Sequence, residues 1–96
     1  MPTFDKLARF LREYQALTPA ERTAFLQAVA DFVEDLRRGN FRASLHVHAL
    51  PGFPGIFSMA WSGDGRATFR YGEQVREGEP HIVWRRVGGH GIYREP

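Results

Sequence analysis

Gly63-Asp64-Gly65-Arg66-Ala67-Thr68-Phe69-Arg70-Tyr71 and, after a polar spacer, His81-Ile82-Val83-Trp84-Arg85-Arg86-Val87-Gly88-Gly89-His90-Gly91-Ile92-Tyr93 decide how this chain folds. In the first run Ala67, Phe69 and Tyr71 alternate with Arg66, Thr68 and Arg70, the period-two pattern of a half-buried strand. Gly63-Asp64-Gly65 supplies a tight turn before it. The second run reads as a strand over residues 81–87. Gly88-Gly89-His90-Gly91 breaks it, and Ile92-Tyr93 re-forms a short extension. Gly72 to Pro80, polar and glycine-bearing, is a loop between the two strands.

Working outward, residues 56–62 carry a continuous apolar run (Ile56, Phe57, Met59, Ala60, Trp61). That predicts a central strand, buried on both faces, in a hairpin with the Arg66 strand. Farther upstream, Phe41, Ala43, Leu45, Val47 and Ala49 alternate with Arg42, Ser44, His46 and His48, which predicts the first of four strands. Leu50 to Gly55 holds two Pro and two Gly and is a loop.

Before residue 40 the period is helical. Phe25, Leu26, Val29, Phe32, Val33 and Leu36 form an apolar stripe. Thr18-Pro19-Ala20-Glu21 is a start signal, with a capping Thr, a Pro at the first helical position and a Glu placed for a capping box. Arg37 and Arg38 suit the last turn, and Gly39 the left-handed stop. Phe4, Leu7, Ala8, Leu11 and Tyr14 give an earlier stripe, so a first helix is predicted over about 4–16. The expected fold is α+β: an N-terminal helix hairpin packed on one face of a mostly antiparallel four-stranded sheet, in a single domain.

The chain has 96 residues and no cysteine, which excludes disulfide frameworks and thiolate metal sites. No apolar run approaches the ~20 residues needed to cross a bilayer. The N-terminus lacks the layout of a signal peptide, so a cytoplasmic protein with no membrane partner is expected. Charge is unevenly placed. Residues 1–40 carry six basic and six acidic side chains, whereas residues 41–96 carry seven arginines, five acids and all four histidines. A patch of this kind attracts phosphates, although a basic edge strand that blocks aggregation has the same composition.

Alternation puts His46 and His48 on one side of their strand and Arg66 and Arg70 on one side of theirs, opposite the apolar residues. If the helices cover the apolar face, these four lie on an open face. Strict alternation allows one of Arg85 and Arg86 to join them, and His90 and Tyr93 follow at the sheet's rim. Arginine grips phosphate with paired donors, and histidine moves protons near neutral pH. RNA brings its own nucleophile, the 2′-OH, so such a site needs no metal and no other cofactor. A histidine pair two residues apart can also bind a metal, but no third ligand lies nearby in the sequence.

The order and spacing of Leu45-His46-Val47-His48-Ala49-Leu50-Pro51-Gly52, Pro54-Gly55-Ile56-Phe57, Gly65-Arg66-Ala67-Thr68-Phe69-Arg70-Tyr71 and Arg86-Val87-Gly88-Gly89-His90-Gly91-Ile92-Tyr93 resemble the RelE/ParE superfamily of bacterial toxins. The resemblance covers residues 18 to 94. It implies the toxin of a toxin–antitoxin pair, with a cognate antitoxin as partner. In the RelE-like branch it implies a ribosome-dependent mRNA endonuclease; in the ParE-like branch it implies an inhibitor of DNA gyrase without catalysis. By this match Arg66, Arg86, His90 and Tyr93 are the catalytic candidates, with His46, His48, Arg70 and Arg85 as RNA-binding candidates. Members of the superfamily usually open with a strand before the helix pair, and the first helix expected here leaves no room for one.

Overall fold

The computed structural model describes all of residues 1–96. The chain runs β1 (Thr3–Lys6), α1 (Ala8–Ala16), α2 (Pro19–Arg38), a short 3-10 turn (Ala43–Leu45), β2 (His48–Ala49), β3 (Phe57–Ala60), β4 (Arg66–Gly72), β5 (His81–Gly88) and a final 3-10 helix (His90–Arg94). The strands form one five-stranded sheet in the order β1-β5-β4-β3-β2. β2 to β5 pair antiparallel, and β1 lies parallel to β5. The expected α+β class and helix pair are present, with five strands in place of four.

The fifth strand corrects the reading of the N-terminus. Thr3 to Lys6 pair with His81 to Trp84, and helix begins only at Ala8. The stripe read over Phe4, Leu7 and Leu11 was out of phase, because its first residues are strand. Those three side chains are exposed, while Phe10 is buried, with Tyr14 packed beside it and Leu17 buried below. Phe10, Tyr14 and Leu17 follow the i, i+4, i+7 steps of a helix that starts four residues later.

α2 forms as its local signals dictate. Thr18 Oγ1 accepts from the Glu21 N–H at 3.2 Å, and the Glu21 carboxylate accepts from the Thr18 N–H at 2.8 Å. Gly39, at φ 77°, closes the helix in the left-handed region, where a side chain would be strained. α2 buries Phe25, Ala28 and Phe32, with Val29 and Leu36 packed alongside and Leu26 left exposed. Phe32 stacks on Phe41 at 5.1 Å and meets Phe69 edge-on at 5.1 Å. Phe25 meets Trp84 edge-on at 5.6 Å. Of these, the buried Phe25, Phe32 and Phe69 each contribute roughly 1.5–3 kcal/mol through removal from water.

The predicted strand over residues 41–49 is mostly absent. The buried Asp35 carboxylate accepts from the Arg42 backbone N–H at 2.8 Å and from its guanidinium at 2.9 and 3.0 Å. That clamp turns the chain into the 3-10 turn, and His46 takes a left-handed backbone at φ 47°. Only His48 and Ala49 pair, with Ser58 and Phe57. Ile92 and Tyr93, expected as a strand extension, lie in the final 3-10 helix instead.

The pairing register sorts the two faces. Phe57, Phe69 and Trp84 align in one row facing the helices. His48, Ser58, Thr68 and Arg86 align in a row on the other face. Between Thr68 and Phe69 the register slips: Thr68 pairs with Arg86 and Phe69 with Trp84, leaving Arg85 unpaired as a bulge. Strict alternation therefore fails at Arg85 and Arg86. The second face, expected from the sequence to be open, is partly covered. The final 3-10 helix lies across it, and Ser58, Thr68 and Ile92 are buried there.

Candidate active site

The row on the second face starts at the sheet's edge with His48, and the β3–β4 turn brings Arg66 up beside it. The final 3-10 helix closes the other side with His90 and Tyr93. His46, Val47, His48, Arg66, His90 and Tyr93 line one open cleft of about 380 Å³. Five of the eight residues singled out in the sequence are thus brought together.

His48, Arg66, His90 and Tyr93 are each held by a neighbour. His48 Nδ1 lies 2.7 Å from the His46 carbonyl oxygen. A carbonyl only accepts, so Nδ1 carries the hydrogen and the neutral ring keeps its lone pair on Nε2. His90 Nδ1 lies 2.6 Å from Asp64 Oδ1. The carboxylate oxygen likewise accepts from Nδ1–H. Tyr93 shares a hydrogen bond of 2.7 Å with Ser58 Oγ, and its ring meets the His90 ring edge-on at 5.8 Å.

Arg66 is fixed by the turn that precedes it. Its Nη1 donates to the carbonyls of Gly65 at 2.8 Å, Ser62 at 3.1 Å and Gly63 at 3.4 Å. Nε and Nη2 have no protein partner, so one edge of the guanidinium is offered to a ligand while the other holds the loop. The same turn carries Asp64, whose place in the sequence marks only a tight turn. Gly89 leaves space for it: a Cβ there would sit 2.7 Å from Asp64 Oδ2. A side chain at that position would push the carboxylate away from His90.

Arg70, Arg85 and Arg86 do not line the cleft. Arg70 lies farther along β4, opposite Val83. Arg85 donates from Nε to the Pro96 carbonyl at 3.1 Å. Arg86 turns aside to Glu13 of α1, donating from Nη2 at 2.6 Å and from Nε at 3.2 Å. Its Nη1 reaches the carbonyls of Ile92 at 3.4 Å and Glu95 at 3.2 Å. Two residues that hold side chains of the cleft escaped the sequence reading, Asp64 and Ser58, as did Glu13, the partner of Arg86. Asp64 stood in a turn motif, but nothing local marks Ser58 or Glu13, which act across 35 and 73 residues of chain.

Beneath the 3-10 helix, Thr68 Oγ1 is buried with no hydrogen-bond partner. No cluster of three or more His, Asp or Glu side chains is placed to hold a metal ion. No helix is long and apolar enough to cross a membrane.

No protein-family model matches the sequence, and no curated protein matches it significantly. The structure, in contrast, is similar to several solved ones. The Escherichia coli DinJ–YafQ toxin–antitoxin complex matches at a TM-score of 0.66 and 12% identity, over 95% of this chain and 94% of that one. The RelB–RelE antitoxin–toxin complex of Methanococcus jannaschii matches at 0.65 and 14%, over 96% and 99%. The YoeB/ParE toxin of Agrobacterium tumefaciens matches at 0.66 and 14%, over 92% and 98%. The chain has the fold of these toxins nearly from end to end, and the likeness is one of fold.

Proposed function

We propose that this chain is the toxin of a toxin–antitoxin pair and an endoribonuclease on mRNA held by the ribosome, with the RNA 2′-OH as nucleophile. One observation carries the reading: two imidazoles, His48 and His90, each anchored through Nδ1, line one cleft with the free edge of Arg66. In the reaction O2′ attacks the adjacent phosphorus while His48 Nε2 takes its proton. The P–O5′ bond breaks as His90 Nε2 gives a proton to O5′. The products are a 2′,3′-cyclic phosphate and a 5′-hydroxyl end.

The roles follow from the anchors. A carbonyl on Nδ1 suits His48 to be the base, since the neutral ring presents its lone pair at Nε2. A carboxylate on Nδ1 suits His90 to be the acid, since Asp64 keeps its partner when the ring carries both protons. Arg66 Nε and Nη2 donate to the equatorial oxygens as charge builds on phosphorus, an interaction stronger in the transition state than in the bound substrate. Tyr93, oriented by Ser58, bonds the phosphate or stacks on a base. His46 at the cleft's edge and Arg70 farther along β4 follow the RNA backbone. An antitoxin segment with acidic side chains would cover Arg66 and silence the cleft. The fold shared with toxins solved in complex with their antitoxins supports that partner.

The test is cleavage of mRNA by the purified chain in a translating reaction, with the new ends mapped and their chemistry determined. The expected result is discrete cuts leaving 5′-hydroxyl ends, lost in His48→Ala and His90→Ala. Intact mRNA together with gyrase-linked DNA breaks in expressing cells would overturn the nuclease reading in favour of gyrase inhibition.

A further inference from the structure

We infer that Glu13 is a positioning residue for the cleavage site: its ion pair with Arg86 clamps the C-terminal segment that carries His90 and Tyr93. Arg86 acts through this clamp and not on the phosphate. The inference rests on the nuclease reading of the cleft, and it revises the catalytic role expected for Arg86 from the sequence resemblance.

The geometry is that of a clamp. β1 covers β5 only from His81 to Trp84, so beyond Trp84 that edge has no neighbouring strand. The bulge at Arg85 falls there. Arg86 fills the gap, with α1 on one side and the C-terminal segment on the other. Two of its nitrogens meet the two oxygens of Glu13 side by side, at 2.6 and 3.2 Å, and the third meets the carbonyls of Ile92 and Glu95. This is the two-pronged pairing that fixes both partners in orientation. Its side chains are 13% and 22% exposed, against 46% and 75% for the neighbouring Arg9–Glu95 pair. A guanidinium already matched to a carboxylate and two carbonyls has little left to offer a phosphate.

The clamped segment needs such help. The helix from His90 to Arg94 has five residues, too few to hold its own shape in water. It is fixed at one end by His90 on Asp64 and in the middle by Tyr93 on Ser58. The far end is held by Arg86, with Arg85 on the Pro96 carbonyl as a second tie and the more exposed Arg9 on the Glu95 carboxylate as a third. Freeing that end lets His90 and Tyr93 drift relative to His48 and Arg66. A displacement of ~1 Å in a reacting group lowers turnover by roughly a hundredfold.

The experiment compares the full-length wild type with Glu13→Gln, Glu13→Ala and Arg86→Lys. Amide hydrogen exchange over residues 92–95 and the ring-nitrogen NMR signals of His90 report the clamp directly, whether or not RNA is cut. Glu13→Ala is expected to speed exchange there by roughly tenfold and to shift the His90 signals, with exchange in β3 to β5 unchanged. Glu13→Gln and Arg86→Lys, which keep part of the pairing, should fall between. In cleavage assays kcat should drop by roughly tenfold to a hundredfold while KM changes by less than about twofold. Unchanged exchange and unchanged His90 signals in Glu13→Ala would overturn the inference. So would cleavage that holds or rises in that variant, because an Arg86 that acts on the phosphate is released by losing Glu13. A wild type that cuts no RNA sinks the nuclease reading; the exchange and His90 signals then decide the clamp by themselves.

Discussion

Replacing Asp64 with asparagine isolates how far the cleft depends on the orientation of His90. Asp64 Oδ1 accepts from His90 Nδ1 at 2.6 Å, the arrangement that orients the base in a serine-protease triad. In a buried triad the Asp-to-Asn change costs ~10⁴ in kcat. Here the side chains are 51% and 82% exposed. An exposed ion pair contributes roughly 0–1 kcal/mol. At ~1.36 kcal/mol per tenfold, that limits the loss to about fivefold. His90→Ala removes the proton donor itself and costs roughly 10²–10⁴. The assay is single-turnover cleavage of ribosome-bound mRNA as a function of pH. His48 must be unprotonated to act, so it gives the limb that rises with pH; His90 must be protonated, so it gives the limb that falls. Asp64→Asn should keep both limbs at a slightly lower plateau. His48→Ala should lose the rising limb and His90→Ala the falling one. A thousandfold loss in Asp64→Asn, or a falling limb that survives His90→Ala, would refute the assignment.

The remaining expectations concern stability. Phe32→Ala empties a site that is 0% exposed between Phe41, Phe69 and Trp84; it should cost about 3–5 kcal/mol, seen as a large drop in the urea midpoint. Thr68→Val replaces a buried hydroxyl that has no partner; it should be neutral or stabilising by up to ~1 kcal/mol, and a clear loss would mean that the hydroxyl is bonded in solution. The Arg42 guanidinium, hydrogen-bonded to Asp35, holds that carboxyl at about 2, below its ordinary 3.8. A depressed carboxyl stabilises above its unfolded value and stops doing so as pH falls through the folded one. Thermal midpoints should therefore fall between pH 3.8 and about 2 in the wild type, with a shallower fall over that window in Asp35→Asn.

What the sequence made legible was local. The cap at Thr18, the stop at Gly39 and the alternation in β4 each depend on residues within a turn of one another. β1 escaped because Phe4, Leu7 and Leu11 fit a helical step as well as Phe10, Tyr14 and Leu17 do, and its pairing partner lies 78 residues away. The strand expected at 41–49 had the right alternation but lost to Asp35, whose carboxylate takes the Arg42 backbone N–H. In the cleft, residue types were readable and their partners were not. His48, Arg66, His90 and Tyr93 stood out as chemistry, yet the groups that orient them reach across the fold. Arg86 shows the converse: a sequence position that promised catalysis holds a side chain already engaged by Glu13.

The parallel pairing of β1 with β5 also has a kinetic consequence. α2 and the β3-β4-β5 meander join residues near in sequence, whereas seating β1 closes a loop of 78 residues. Closing such a loop costs roughly 4 kcal/mol of chain entropy before any contact rewards it. β1 should therefore dock after the rate-limiting barrier, once β5 is in place to receive it. Weakening it, by replacing Thr3 where its hydroxyl meets His81 Nδ1 at 2.7 Å, should speed unfolding and leave the refolding rate almost unchanged.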